Sequence, residues 1–263
     1  MAKIKLGFLG FGNMAMGIAK GMTKKGSAAN FDVYACAAHY DKLCVNAKGL
    51  NIHPLHDARE LVNTCDYIII AIKPYMIDDV IIPIKDLFKG KTVISLVAGY
   101  NYDRYAVLFG EDVHHISTIP NTPIEVCEGI CISEDRHNLT DEEYEVFKAI
   151  FEPISSIVTL NTKLFSTGGT MSGCTPAFVA MFIEALGDAG VKYGLSRQDA
   201  YAMAAKVLVG TGKLYLETNK HPGILKDAVC SPKGTTIKGV ASLEESSFRS
   251  AIIKAIDAIE FNK

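Results

Sequence analysis

Near the start of the chain, Gly10, Gly12 and Ala15 stand at the spacing G-x-G-x-x-[GA]. That spacing suits the close approach of a backbone to a dinucleotide pyrophosphate. The first glycine permits a tight turn, the second clears a side chain from the path of the phosphate, and the third small residue lets a helix pack on a strand. Such a cradle needs a strand before it and a helix after it. The residues from Ile4 onward are mostly apolar and bounded by glycines, and beyond Gly12 the side chains of Met14, Ile18 and Met22 recur four apart, as on one helix face. The unpaired N–H groups and positive dipole end of that helix would face the phosphates. The same glycines also fit a bare turn without a ligand; the flanking strand and helix favour the nucleotide.

Composition narrows the classes. A chain of 263 residues with 49% hydrophobic and 21% charged residues can fill the cores of one large or two ordinary domains. Its formal net charge of -2 and lack of a long basic run give no reason to expect nucleic acid or an acidic membrane as a partner. The apolar stretch 4–11 is too short and glycine-broken for a signal peptide, and no later run is expected to span a membrane, so a cytoplasmic location is expected. Seven cysteines without a C-x-x-C pair read as reduced thiols. His53, His56, His114, His115, Cys127 and Cys131 could be considered as a metal site. Proline separates the first two and the rest fall in strand or loop, so no metal is expected.

Behind the glycine motif, strand and helix patterns alternate. Strands are expected at 33–37, 67–72, 92–97, 115–119, 129–133 and 157–160, and helices at 40–47, 57–63, 77–88, 102–108 and 141–151; Pro120 to Pro123 should stop any regular element. This alternation predicts an α/β Rossmann-type doubly wound parallel sheet with helices on both faces. Ligands of such sheets sit at the carboxyl ends of the strands. Topology therefore selects Gly10, Phe11, Gly12 and Asn13, then Ala37 to His39, then Ala71, Lys73 and Pro74, and finally Ala98, Gly99 and Asn121, as cofactor-binding candidates.

From residue 161 onward only helical patterns remain, which predicts two domains, 1–160 and an all-α 161–263. Thr175 and Pro176 read as N-cap and first residue of a helix that Gly194 ends, and Ser196 as the cap of another reaching about residue 217. Helices so poor in polar positions must be covered on several sides, which predicts a homodimer through this region.

The ribose end of the cofactor is read from the second strand. Asp32 follows Gly12 at about the spacing of an NAD-type ribose carboxylate, but it precedes the apolar run and so lies at the wrong end. The right end carries Ala37, Ala38 and His39, with Lys42 a few residues on. A cation without a carboxylate favours a 2′-phosphate, hence NADPH over NADH.

Between His221 and Ile237 a short helix, a loop and a second helix starting near Thr235 are expected. The hydroxyls and free N–H groups there suit a carboxylate or phosphate, or simply cap the helix. Taken together, GFLGFGNMA, which includes Met14, AIKP (71–74), PNTP (120–123), FIEALGDAGVKYGLSRQDA (182–200) and HPGILKDAVCSPKGTTI (221–237) resemble the pyrroline-5-carboxylate reductases over nearly the whole chain. The resemblance implies a Rossmann domain followed by a dimerisation domain. It implies reduction of L-1-pyrroline-5-carboxylate to L-proline with NADP(H), NAD(H) being the second option, in dimers or rings of dimers. It also implies that Ser231, Thr235 and Thr236 bind the substrate carboxylate, with Thr236 the catalytic hydroxyl beside the imine nitrogen. The chain departs from the family pattern at Cys174, Phe178, Lys233, which replaces a glycine, and Ser117. Two other readings stand beside it: a β-hydroxyacid dehydrogenase, for which neither Lys163 nor Lys192 is well placed, and an NADPH-binding protein without catalysis, against which the intact hydroxyl loop argues.

Overall fold

The computed structural model describes residues 3–261. Two compact units result, one ending at Pro176 and one beginning at Ala177. In the first unit the elements follow as β1 (Ile4–Leu9), α1 (Asn13–Lys25), β2 (Phe31–Cys36), α2 (Tyr40–Ala47), β3 (Ile52–Leu55), α3 (Ala58–Thr64), β4 (Tyr67–Ile70), α4 (Ile77–Val80), β5 (Thr92–Ser95) and α5 (Tyr102–Phe109). They are followed by β6 (His114–Pro120), β7 (Gly129–Glu134), α6 (Asp141–Phe151), β8 (Ser155–Leu160) and α7 (Thr162–Gly169).

The sheet order is β3-β2-β1-β4-β5-β6-β7-β8, and all neighbours run parallel except β6 and β7. The first six strands have the doubly wound order of a dinucleotide fold. β7 turns antiparallel because only a short 3₁₀ turn, Thr122–Val126, joins it to β6, and a parallel return needs a longer crossover. Alternating side chains of the strands enter two cores, as expected for a sheet covered on both faces. Leu6 and Phe8 pack with Ile18, Met22, Phe147 and Phe151 on one face, whereas Leu9, Ile68 and Ile70 pack with Leu61, Ile81, Phe88 and Tyr105 on the other.

Several sequence expectations are corrected. The strand β3 was not foreseen; it is four residues long, contains Pro54 and pairs only with β2. The helix expected at 77–88 is one α turn followed by a 3₁₀ segment, Ile82–Phe88, because Pro83 cannot donate to an α ladder. Pro120 ends β6 instead of lying in a loop, and β2 begins at Phe31, so Asp32 is inside the strand. Lys163 lies in the first turn of α7. Thr175 does not cap a new helix: a π turn, Thr170–Cys174, joins α7 to α8 (Thr175–Lys192), and the Thr175 hydroxyl donates back to the Met171 carbonyl at 2.5 Å. The π turn accommodates Pro176, whose missing N–H would leave a gap in a regular ladder.

The second unit continues α8 and adds α9 (Arg197–Thr218), α10 (Pro222–Asp227), α11 (Thr235–Glu245) and α12 (Phe248–Glu260). Gly194, at φ 96°, ends α8, and Ser196 caps α9 by accepting from the Asp199 N–H at 3.1 Å. Helices α8 and α9 lie close enough that a Cβ at Gly190 would come 2.8 Å from Ala200 Cβ. Yet among the described residues of this unit only Gly187, Ala200 and Ala204 are buried, while Met181, Met203, Val207, Leu216 and Ile253 are each more than half exposed. Thr162–Lys192 is one 31-residue helical stretch, long and apolar enough by composition to cross a membrane, which the sequence reading did not anticipate.

Helix α6 is anchored to the sheet by one carboxylate. Glu143 caps its own helix through the Thr140 N–H at 2.7 Å and accepts from the Thr92 hydroxyl at 2.6 Å, with His114 Nδ1 at 2.7 Å. Burial alone would raise its pKa, but these hydrogen bonds and the neighbouring imidazole outweigh burial and hold it below the usual carboxylate value. A depressed folded-state pKa contributes stability above the unfolded value, about 4.3, that is lost as pH falls through the lower folded value. Glu143→Gln should cost about 1–2 kcal/mol at pH 7. Urea unfolding of both proteins from pH 7 to pH 3 should show the two curves converging in acid; a constant offset would contradict this account.

Candidate cofactor and substrate sites

The turn after β1 is built on a backbone that only glycine adopts freely. Gly10 has φ 95°, and a Cβ there would lie 2.8 Å from the Ala71 carbonyl oxygen. Its N–H donates to the Cys36 carbonyl at 2.9 Å, and the Leu9 carbonyl accepts from the Ala71 N–H at 2.8 Å. The carboxyl ends of β2, β1 and β4 are therefore tied together at this turn.

Gly12 is the N-cap of α1, in extended conformation and with no side-chain cap. The first helical bond runs from the Met16 N–H to the Gly12 carbonyl, so the N–H groups of Asn13, Met14 and Ala15 have no partner in the helical ladder. A Cβ at Gly12 would meet nothing within 4 Å, and Ala15 is fully buried against the sheet. This is a cradle with room for an anion. It opens into a cavity of about 510 Å³, within the range of small-molecule sites.

Of the sequence candidates, Gly10, Phe11, Gly12 and Asn13 line this cavity, together with His39, Ala71 and Lys73. Met14 is half-buried in the first turn of α1 and Pro74 opens an exposed 3₁₀ turn; neither lines it. Ala98 and Gly99 are exposed beyond β5, where Arg104 Nη1 donates to the Gly99 carbonyl at 2.9 Å. Asn121 is buried, its amide engaged with the Ser172 carbonyl at 3.0 Å and the Ile130 N–H at 2.8 Å.

Lys42 lines the cavity beside His39. Asp32 does not: it accepts from the Tyr34 hydroxyl at 2.7 Å and lies 3.1 Å from His53 Nε2 at the amino end of β2. Sequence reasoning missed His56 and Asp57, which enter the lining from beyond β3; His56 is stacked on Tyr40 with ring centroids 3.9 Å apart. The cavity thiol, Cys36, is pushed up to about 11 by burial and stays protonated near neutrality. The other histidines once considered as metal donors are dispersed, His114 on Glu143 and His115 buried between the carbonyls of Val113 and Tyr102.

In the second unit, Ser231, Thr235 and Thr236 lie on an exposed loop and helix start. The Gly234 N–H donates to the Ser231 carbonyl at 3.0 Å, and Gly234 caps α11 through its backbone position alone. The three hydroxyls are thus not consumed in capping, and the first-turn N–H groups point outward from the helix end. Lys233 is exposed and sits at φ 60°, a left-handed conformation that glycine adopts without strain.

Residues 162–261 match the family described as pyrroline-5-carboxylate reductase dimerisation. The chain is 41% identical to the pyrroline-5-carboxylate reductase of Treponema pallidum over 259 residues, covering 97% of this chain and 98% of that protein. This chain belongs to the pyrroline-5-carboxylate reductase family. The Escherichia coli pyrroline-5-carboxylate reductase is 36% identical over 96% of this chain and 94% of its own length. Residues 5–99 match the family described as NADP oxidoreductase, coenzyme F420-dependent, a likeness confined to the nucleotide-binding half. Among solved structures, Plasmodium falciparum pyrroline carboxylate reductase with NADP bound superposes with a TM-score of 0.87 at 30% identity, covering 98% of this chain and 96% of that one. The Streptococcus pyogenes 1-pyrroline-5-carboxylate reductase superposes at 0.86 with 26% identity, covering 97% and 96%.

The two glycines of the cradle should fail differently when filled. Gly12→Val has space to fold, at the modest cost of a less favourable N-cap, and by filling the open space before α1 should weaken reduced-cofactor binding by about a hundredfold or more. Gly10→Ala strains the turn against Ala71 and should cost about 1–3 kcal/mol of stability. Thermal melts and cofactor titrations of both variants would separate these effects.

Proposed function

We propose that this protein is a soluble, cytoplasmic pyrroline-5-carboxylate reductase that reduces L-1-pyrroline-5-carboxylate to L-proline with NADP(H), the last step of proline biosynthesis. The observation that carries the reading is the joint presence of a glycine cradle opening into a cavity and an uncapped, hydroxyl-rich start of α11 in a chain alike to these reductases from end to end. In this reading residues 1–160 bind the dinucleotide and residues 161–263 provide dimerisation and substrate binding.

The bound cofactor supplies a hydride to C5 of the cyclic imine. The chain supplies binding, orientation and a proton donor. Ser231, Thr235 and the free N–H groups opening α11 hold the substrate carboxylate. The Thr236 hydroxyl donates to the ring nitrogen, so that negative charge does not develop there as C5 is reduced. Gly10 to Asn13 receive the pyrophosphate, and His39 and Lys42 favour a 2′-phosphate.

A homodimer through the helical unit covers the apolar side chains that this unit leaves exposed, including those of the long helical stretch that would otherwise resemble a membrane span. Dimers of this kind can assemble further into rings.

One hydrogen bond to a charged group is worth about 1.5–3 kcal/mol, so Thr236→Val should lower kcat/KM ten- to a hundredfold while leaving NADPH affinity intact. An unchanged kcat/KM excludes the role given to Thr236. Light scattering at micromolar concentration should return twice the mass of the chain or an even multiple of it, and a monomer would refute the dimer.

A further inference from the structure

The cavity at the sheet edge carries a charge pattern that the second strand does not disclose. Strand β3 runs parallel to β2 with Leu55 aligned to Cys36. Two residues beyond each, Asp57 and Ala38 therefore emerge at the same edge of the sheet, and both line the cavity. This is the edge at which a dinucleotide fold holds the adenosine ribose, and where a carboxylate accepts from a ribose 2′-hydroxyl. Asp57 is the one carboxylate in the cavity lining among the described residues, and Lys42 of α2 and His39 before it line the same cavity.

One oxygen of Asp57 is already used: Oδ1 accepts from the Glu60 N–H at 2.8 Å as the cap of α3. That bond fixes the side chain and leaves the second oxygen for a ligand. Asp57 also differs from Asp32, whose two oxygens face Tyr34 and His53 at the other end of the strands.

Resting on the reading that this cavity takes a reduced nicotinamide dinucleotide, we infer that Asp57 sets the balance between the two cofactors. Its carboxylate accepts the 2′-hydroxyl of NADH and repels the 2′-phosphate of NADPH, against the attraction of Lys42 and His39 for that phosphate. The protein therefore uses both cofactors, and its preference is a difference between one carboxylate and the basic side chains that share the cavity with it.

The test is equilibrium titration of NADPH and NADH, followed by nicotinamide fluorescence or calorimetry without substrate, on the wild-type protein, Asp57→Asn and Lys42→Ala. Asparagine caps a helix as well as aspartate does, so Asp57→Asn keeps its thermal midpoint. It should raise the ratio of NADPH to NADH affinity by about tenfold or more, and Lys42→Ala should lower the same ratio. An unchanged ratio in folded Asp57→Asn, with both cofactors bound by the wild type, overturns the inference alone. Failure of the wild type to bind either cofactor overturns the underlying reading and the inference with it.

Discussion

The left-handed turn at Gly10 is the constraint on which the nucleotide half depends. At φ 95° its N–H reaches the Cys36 carbonyl of β2, while the carbonyl before it accepts from Ala71 at the end of β4. Any other residue type would be strained there, because a Cβ would come 2.8 Å from the Ala71 carbonyl oxygen. The turn thereby ties the ends of three strands together and leads directly into the first turn of α1. The free N–H groups of that turn, the open space at Gly12 and the cavity beyond it all follow from this register. The cradle and the cavity it opens into thus result from backbone geometry more than from side-chain chemistry.

The helical unit follows a different logic. Its first two helices are fitted closely through Gly187 and Gly190, but three further helices bury no residue and large apolar side chains remain exposed. Such a unit has too little interior of its own to offset chain entropy. Those faces require cover from outside the unit, and the family's description of this segment as a dimerisation region agrees with that requirement. The hydroxyl loop sits at the start of α11, one of these sparsely covered helices.

Much of this was legible from residue order. The glycine spacing marked the cradle, the alternation of strand and helix marked the sheet, and α2, α6 and the start of α11 fall where their patterns put them. What escaped was local chemistry overridden by neighbours. A four-residue strand containing Pro54 gives no periodic signal and exists because β2 offers it an edge. Missing β3 meant missing Asp57, which lines the cavity from beyond that strand, whereas the end of β2 carries no carboxylate, as its residues indicated. Likewise Thr175-Pro176 has the form of a helix start, yet a π turn carries the helix through it, and the Ser172 carbonyl that Pro176 cannot serve accepts from Asn121 Nδ2 at 3.0 Å instead. Lys233 occupies a left-handed position that its residue type does not announce, and the resemblance to a family glycine was the only available clue.

The most direct test of the account is to follow isotope. Purified protein, L-1-pyrroline-5-carboxylate and NADPH carrying deuterium at nicotinamide C4 would be incubated together, and the product analysed by mass spectrometry and NMR. The account predicts proline formed one for one with NADPH consumed, with the transferred deuterium at C5. Tight NADPH binding without labelled proline would contradict it and would leave a dinucleotide-binding fold whose substrate lies elsewhere.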